Sequence, residues 1–320
     1  MKASAIAPAS QGLVNIHGFQ KDSDNPRGGL LHCALEGLMT KATVEFHARR
    51  TECTVIIDGR PAAGNARERV VKFIRNLQRT FNLPSGFTLH SVNSFPADCG
   101  LGSSASAFAA TALAATAAAR LDLAEHRLAQ IVREGSLTAG SSIVGGISIS
   151  FPGRCEREGA TVRKLDPEKL PLQVIAAVIR SDRASKSLHA EARLSPFYIP
   201  MQQLCEKTAE EVLELLQKGD WKAAGDLVEL NVAFNYALIT TGPSRLQMWA
   251  AATLAAMHVI KRLQSTGVPA FYAMNSGPSL FCYTEAGYTE LIKRELAGIG
   301  VTVLPAVPSG GATLISSHLF

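Results

Sequence analysis

Residues 96–106 read Pro96-Ala97-Asp98-Cys99-Gly100-Leu101-Gly102-Ser103-Ser104-Ala105-Ser106, between a stretch of strand character (87–93) and an alanine-rich stretch of helical length. The reading of this segment decides the fold. Gly100 and Gly102 let the backbone bend sharply and approach an oxyanion. Several N–H groups then converge at a helix N-terminus, where the dipole favours negative charge. Ser103, Ser104 and Ser106 add hydroxyl donors, and Ser104 is the candidate Mg²⁺ ligand among them. A glycine turn alone serves equally well as a plain helix cap. The segment is not a P-loop, since no lysine follows the second glycine. Nor is it a dinucleotide fingerprint, which needs a third glycine and a downstream acid. The whole string, Pro96 through Ser106 with Leu101 between the glycines, favours phosphate binding. Asp98 within it is either a nucleotide contact or a turn former.

Outward from this loop, short segments at 3–8, 12–17, 42–47 and 54–58 read as strands, with alternating apolar and polar residues in the last two. Val70, Val71, Phe73, Ile74, Leu77 and Phe81 recur at helical spacing across 68–81. Helices are expected at 104–120 and 124–134, with a Gly/Ser-rich segment after them at 135–146. The second half is mainly helical (196–218, 221–238, 244–266 and 286–297), with strands at 147–151, 172–179, 270–274, 280–283 and 301–304. Strands and helices alternate without the regular parallel rhythm of a dinucleotide fold, so the class is α+β. Residues 316–320 read as a frayed tail.

With 320 residues, 47% of them apolar and 18% charged, the chain can bury a sizeable core. The net charge of +5 suits an anionic small molecule, and no dense basic stripe interleaved with aromatics points to nucleic acid. Six scattered cysteines form no C-x-x-C pair, which argues against a zinc site or a disulfide scaffold and for a reducing, cytoplasmic setting. The N-terminus lacks the pattern of a signal peptide. The uncharged stretch 105–119 is too short to span a membrane comfortably and reads as a buried helix.

The phosphate-loop string closely resembles the second motif of the GHMP small-molecule kinases. Further stretches resemble one branch of that superfamily, the mevalonate-diphosphate and mevalonate-phosphate decarboxylases. They are Ala7-Pro8-Ala9-Ser10-Gln11-Gly12-Leu13-Val14-Asn15-Ile16-His17-Gly18, Asn93-Ser94-Phe95-Pro96, Gly135-Ser136-Leu137-Thr138-Ala139-Gly140-Ser141-Ser142-Ile143-Val144-Gly145-Gly146 and Tyr272-Ala273-Met274-Asn275-Ser276-Gly277-Pro278-Ser279. The resemblance implies a two-lobed fold, with lobes at 1–180 and 181–320 and the active site in the cleft between them. It also implies ATP and Mg²⁺ as cofactors and a mevalonate-type acid as substrate. A homodimer is compatible with the sequence.

The departures are as telling as the matches. The branch's lysine falls at Asn15, its arginine at Ser141 and its aspartate at Asn275, so three charged groups around the substrate become neutral. A positioned base contributes roughly 10²–10⁴ in rate. Phosphoryl transfer depends mainly on positioning and charge neutralisation, so it tolerates that loss better than decarboxylation does. The resemblance implies substrate contacts at Asn15, His17, Ser141, Ser185, Lys186 and Asn275. It implies Mg²⁺ ligands at Ser104 and Glu134, and catalytic roles for Ser104, Glu134 and Asn275. Bland readings stand beside these: His17 as a structural strand histidine, Glu134 as a surface helix end, and Ser185 with Lys186 as a helix cap. The expected activity is ATP-dependent phosphorylation of the tertiary 3-hydroxyl of mevalonate or a phosphorylated mevalonate. The alternatives are a (di)phosphomevalonate decarboxylase and a catalytically silent ATP-binding homologue.

Overall fold

The computed structural model describes residues 2–18, 29–97, 99–150, 161–180 and 188–320. Small residues at Ala3, Ala5, Ala7 and Ala9 let the first strand, β1 (Lys2–Val14), lie close to its neighbours. Two short strands were expected here, and the structure has one. Its antiparallel register with β2 (Leu30–His47) shifts between Pro8 and Ala9, where a bulge absorbs a proline that cannot donate to the ladder. The elements that follow are β3 (Cys53–Ile57), β4 (Arg60–Pro61), α1 (Gly64–Phe81), β5 (Gly86–Asn93), α2 (Ser103–Ala118), α3 (Glu125–Val132), α4 (Ala139–Val144), β6 (Ile147–Ser150), β7 (Thr161–Leu165) and β8 (Leu172–Val178). The second half adds α5 (Leu188–Arg193), α6 (Tyr198–Lys218), α7 (Trp221–Thr240), α8 (Ala251–Ser265), β9 (Ala270–Met274), β10 (Leu280–Glu285), α9 (Thr289–Gly298), β11 (Thr302–Pro308) and β12 (Thr313–Ile315). The class is mixed α and β, as expected.

All twelve of these strands join one sheet, along a path β4-β3-β5-β2-β11-β8-β10-β9, with β1 and β6 also paired to β2, β12 to β1 and β7 to β6. β11 pairs with β2 at one end and β8 at the other, so both halves of the chain share the sheet. One core packs α1 to α4 on the first half, around Phe73, Phe87, Leu89 and Phe108. A second sets α6 and α7 against Leu31, Leu35, Phe281 and Tyr283, and a third lies under α8 and α9. The alanines of α2 are almost all buried against β1 and β2, because a methyl side chain lets helix and sheet backbones approach closely. That is the buried helix expected at 105–119. Among the described residues no helix is long and apolar enough to cross a membrane.

Three further expectations change. The helix expected over 244–266 begins only at Ala251. The Glu191 carboxylate instead accepts from the Ser244 amide at 2.8 Å and hydroxyl at 2.7 Å, and Trp249 stacks on Tyr236 at 3.7 Å. The Gly/Ser-rich segment contains a helix, α4, and strand β7 follows it at 161–165. The tail expected to fray is docked. His318 bonds Ser4 Oγ at 2.7 Å, the Leu319 amide donates to Thr43 Oγ1 at 3.0 Å and Lys2 Nζ donates to the Phe320 carbonyl at 2.9 Å.

Candidate functional site

The loop expected to bind phosphate leaves β5 and enters α2 at Gly102, which is left-handed at φ +83° and is followed by a helix that no side chain caps. The Ala105 amide donates to the Gly102 carbonyl at 3.0 Å, which leaves the amides of the half-buried Ser103 and Ser104 to face an anion. Gly100 (φ +79°) and Gly102 make the sharp bend expected of them, and each also sits in a close approach. A Cβ on Gly102 would lie 2.6 Å from the Ser10 carbonyl oxygen, and one on Gly100 would lie 2.6 Å from Gly277 Cα. Both are needed where the loop presses on β1 and on the turn after β9. Ser106, expected on the nucleotide, is fully buried, and its hydroxyl sits 2.6 Å from Thr40 Oγ1. Leu101 is packed in the core and Pro96 is half-buried. Asp98, Ser185 and Lys186 lie outside the described residues.

Helix α1 engages both expected metal ligands. Arg69 Nη2 donates to Ser104 Oγ and to the Gly135 carbonyl, each at 2.9 Å, and Asn76 Nδ2 donates to Glu134 Oε2 at 2.9 Å. Ser104 thus faces a guanidinium, so a positive charge already stands where Mg²⁺ was expected. Partial burial of that guanidinium lowers its pKa. Sequence reasoning missed Arg69, because the apolar periodicity of α1 marks its core face and says nothing of what its polar face meets. Among the described residues no group of three or more His, Cys, Asp or Glu side chains could hold a metal ion.

Asn15, just past the end of β1, and Asn275, just past β9, each reach across to the other's segment. Asn15 Nδ2 donates to the Met274 carbonyl at 3.3 Å. Gly12 permits that fold-back, since a Cβ there would lie 2.4 Å from Asn15 Nδ2. Asn275 Oδ1 accepts from the Gly12 amide at 2.8 Å, while its Nδ2 donates to the Ser10 and Gly100 carbonyls at 3.3 Å each. Ser141 is fully buried, with its hydroxyl 3.5 Å from that of Ser150 on β6, which in turn contacts Thr161 of β7 at 3.1 Å.

His17 was expected to face the substrate and to offer a replacement cation. It is buried, with its ring edge-on to His189 at 5.7 Å, and burial first and His189 second lower its pKa to about 3. At neutral pH it is uncharged and replaces no lysine. Two residues of α7 that the sequence did not single out fix this end of β1. Asn231 Oδ1 accepts from the Asn15 amide at 3.0 Å, and Asn235 Oδ1 accepts from the His17 amide at 2.9 Å. Asn235 Nδ2 also donates to the Asn15 carbonyl at 2.7 Å.

Comparison with known proteins bears on this geometry. Residues 7–160 match the diphosphomevalonate decarboxylase-like N-terminal domain family. The chain is 28% identical over 304 residues to a phosphomevalonate decarboxylase of Haloferax volcanii, with 94% of each chain covered. Among solved structures it matches the mevalonate diphosphate decarboxylase from Enterococcus faecalis at TM-score 0.89, with 23% identity and 99% of both chains covered. It also matches the mevalonate-3-kinase from Thermoplasma acidophilum, solved with mevalonate 3-phosphate and ADP, at TM-score 0.81. There the identity is 16%, with 99% of this chain and 98% of that one covered. At such identities the two structures establish the shared fold.

Proposed function

We propose that this chain, which is similar to proteins of the mevalonate branch of the GHMP superfamily, uses ATP and Mg²⁺ to phosphorylate the tertiary 3-hydroxyl of mevalonate or a phosphorylated mevalonate. The observation that carries the reading is the state of Asn275. At the place where the branch has its aspartate, the amide is fully engaged by three backbone groups and has no basic lone pair to offer a hydroxyl. In-line phosphoryl transfer tolerates that, because it depends on holding the acceptor and neutralising charge. The open turn of α2 supplies N–H donors, and Arg69 beside Ser104 supplies a cation. Mg²⁺ would neutralise the phosphates from the same side. Loss of carbon dioxide needs the carboxylate held in line with the breaking bond, and neither Asn15 nor Ser141 carries the charge to hold it.

A second reading, ATP-dependent decarboxylation of a phosphorylated mevalonate, is favoured by the Haloferax volcanii relative. One experiment separates the two. Purified chain is incubated with ATP, Mg²⁺ and, in turn, mevalonate, its 5-phosphate and its 5-diphosphate. ADP with a stable phosphorylated acid supports the kinase, and ADP with carbon dioxide supports the decarboxylase. No ADP with any of the three removes both and leaves a nucleotide-binding homologue.

A further inference from the structure

We propose that Asn275 is a positioning residue, a clamp that locks the phosphate loop to β1, and that its amide cannot be replaced there by a carboxylate. The inference rests on the reading that the loop holds nucleotide phosphates, but the clamp itself is read from hydrogen bonds alone. A carboxamide presents one acceptor and two N–H donors, and Asn275 uses both kinds. Its oxygen takes the Gly12 amide at 2.8 Å, and its nitrogen reaches the carbonyls of Ser10 on β1 and Gly100 in the loop, each at 3.3 Å. Aspartate could keep only the first of these bonds. Its second oxygen would face two carbonyl oxygens with no proton between them, a repulsive arrangement in a half-buried place.

The surroundings leave no slack to relieve that repulsion. Two residues further on, Gly277 abuts Gly100 so closely that a Cβ on Gly277 would lie 2.5 Å from Gly100 Cα. Gly102 abuts the same Ser10 carbonyl that Asn275 binds, with a Cβ-to-oxygen separation of 2.6 Å. One amide thus ties together the turn after β9, strand β1 and the loop that opens α2. The asparagine belongs to a different local design, in which the position orients the loop instead of taking a proton.

The test uses the full-length chain with Asn275→Asp, Asn275→Ala and Asn275→Ser. Amide hydrogen exchange is followed over residues 99–106 and 9–12 without nucleotide, and KM for ATP and kcat are followed with it. Loss of two neutral hydrogen bonds corresponds to roughly a tenfold to hundredfold change. Exchange in both segments should therefore rise by about that factor in all three variants, and KM for ATP should rise more than kcat falls. In Asn275→Asp alone, both effects should partly reverse at low pH, once the new carboxyl is protonated and can donate one bond. A purely structural role would show no such pH-dependent recovery. Unchanged exchange with raised turnover in Asn275→Asp would overturn the clamp, since the carboxylate would then be acting as a base. If the wild-type chain neither binds ATP nor forms ADP, the phosphotransfer reading fails by itself, and the exchange measurement still decides the clamp. If Asn275→Asp does not fold, the serine and alanine variants carry the exchange test.

Discussion

Gly277→Ala isolates the contact between the phosphate loop and the turn that carries Asn275. Gly277 has no left-handed φ, so alanine fits its backbone and the whole cost is steric. The added methyl would lie 2.5 Å from Gly100 Cα, 2.8 Å from Gly100 N and 3.0 Å from the Cys99 carbonyl oxygen. All three are backbone atoms that cannot rotate aside. Ordinary contact begins near 3.4 Å, so loop and turn must part by about 0.9 Å. Overpacking of this kind costs about 1–3 kcal/mol in stability. A shift near 1 Å at a site that positions reacting groups costs up to about 10²-fold in rate. Gly287→Ala is the matched control, because a Cβ there meets nothing within 4 Å. The assays are urea denaturation and an ATP titration of initial rates. The expected result is a loss of about 1–3 kcal/mol together with at least a roughly tenfold rise in KM for ATP for Gly277→Ala, with neither in the control. If the two variants behave alike in both assays, the close approach of loop and turn is not what holds the loop.

Arg69→Met should weaken ATP binding by roughly tenfold while leaving AMP binding unchanged, because the guanidinium sits at Ser104 on the phosphate side; calorimetric titration with both nucleotides checks this, and equal losses for ATP and AMP would refute it. Two buried histidines predict acid sensitivity. Burial, the larger cause in each case, lowers His17 to about 3 and His32 to about 4 from an ordinary 6.5. The unfolded chain therefore binds more protons between those values and 6.5, so stability falls as pH drops through that window, by up to about 1.4 kcal/mol per pH unit for each ring. Denaturation midpoints at pH 7, 5.5 and 4.5 should show the slope, and His32→Gln should flatten it. Deletion of residues 316–320 removes the bonds to Lys2, Ser4 and Thr43 and the ring contact with His90, and should cost about 1–3 kcal/mol; an unchanged melting midpoint would mean that the docked tail contributes nothing.

The fold class and the place of the glycine-serine loop before α2 were legible in the sequence, because both rest on local patterns. Periodicity along α1, the glycine-serine string before α2 and the run of buried alanines each constrain only a few neighbouring residues, and such constraints survive without knowledge of the rest of the chain. The neutral residues at positions 15, 141 and 275 were also legible, since matched motifs align them. What they do was not. Asn275 meets Gly12 across 263 residues of chain and Gly100 across 175, and Asn15 is held by Asn231 and Asn235 of a helix more than 200 residues away. No spacing rule carries information over such distances. The same holds for Arg69 at Ser104, and for Gly102, whose missing side chain answers to the backbone of β1. Ser141 and His17 have the residue types of substrate contacts, yet burial turns one toward a serine of β6 and leaves the other uncharged. Only the tertiary structure decides such roles, because desolvation and backbone hydrogen bonding depend on which distant segments arrive beside a residue.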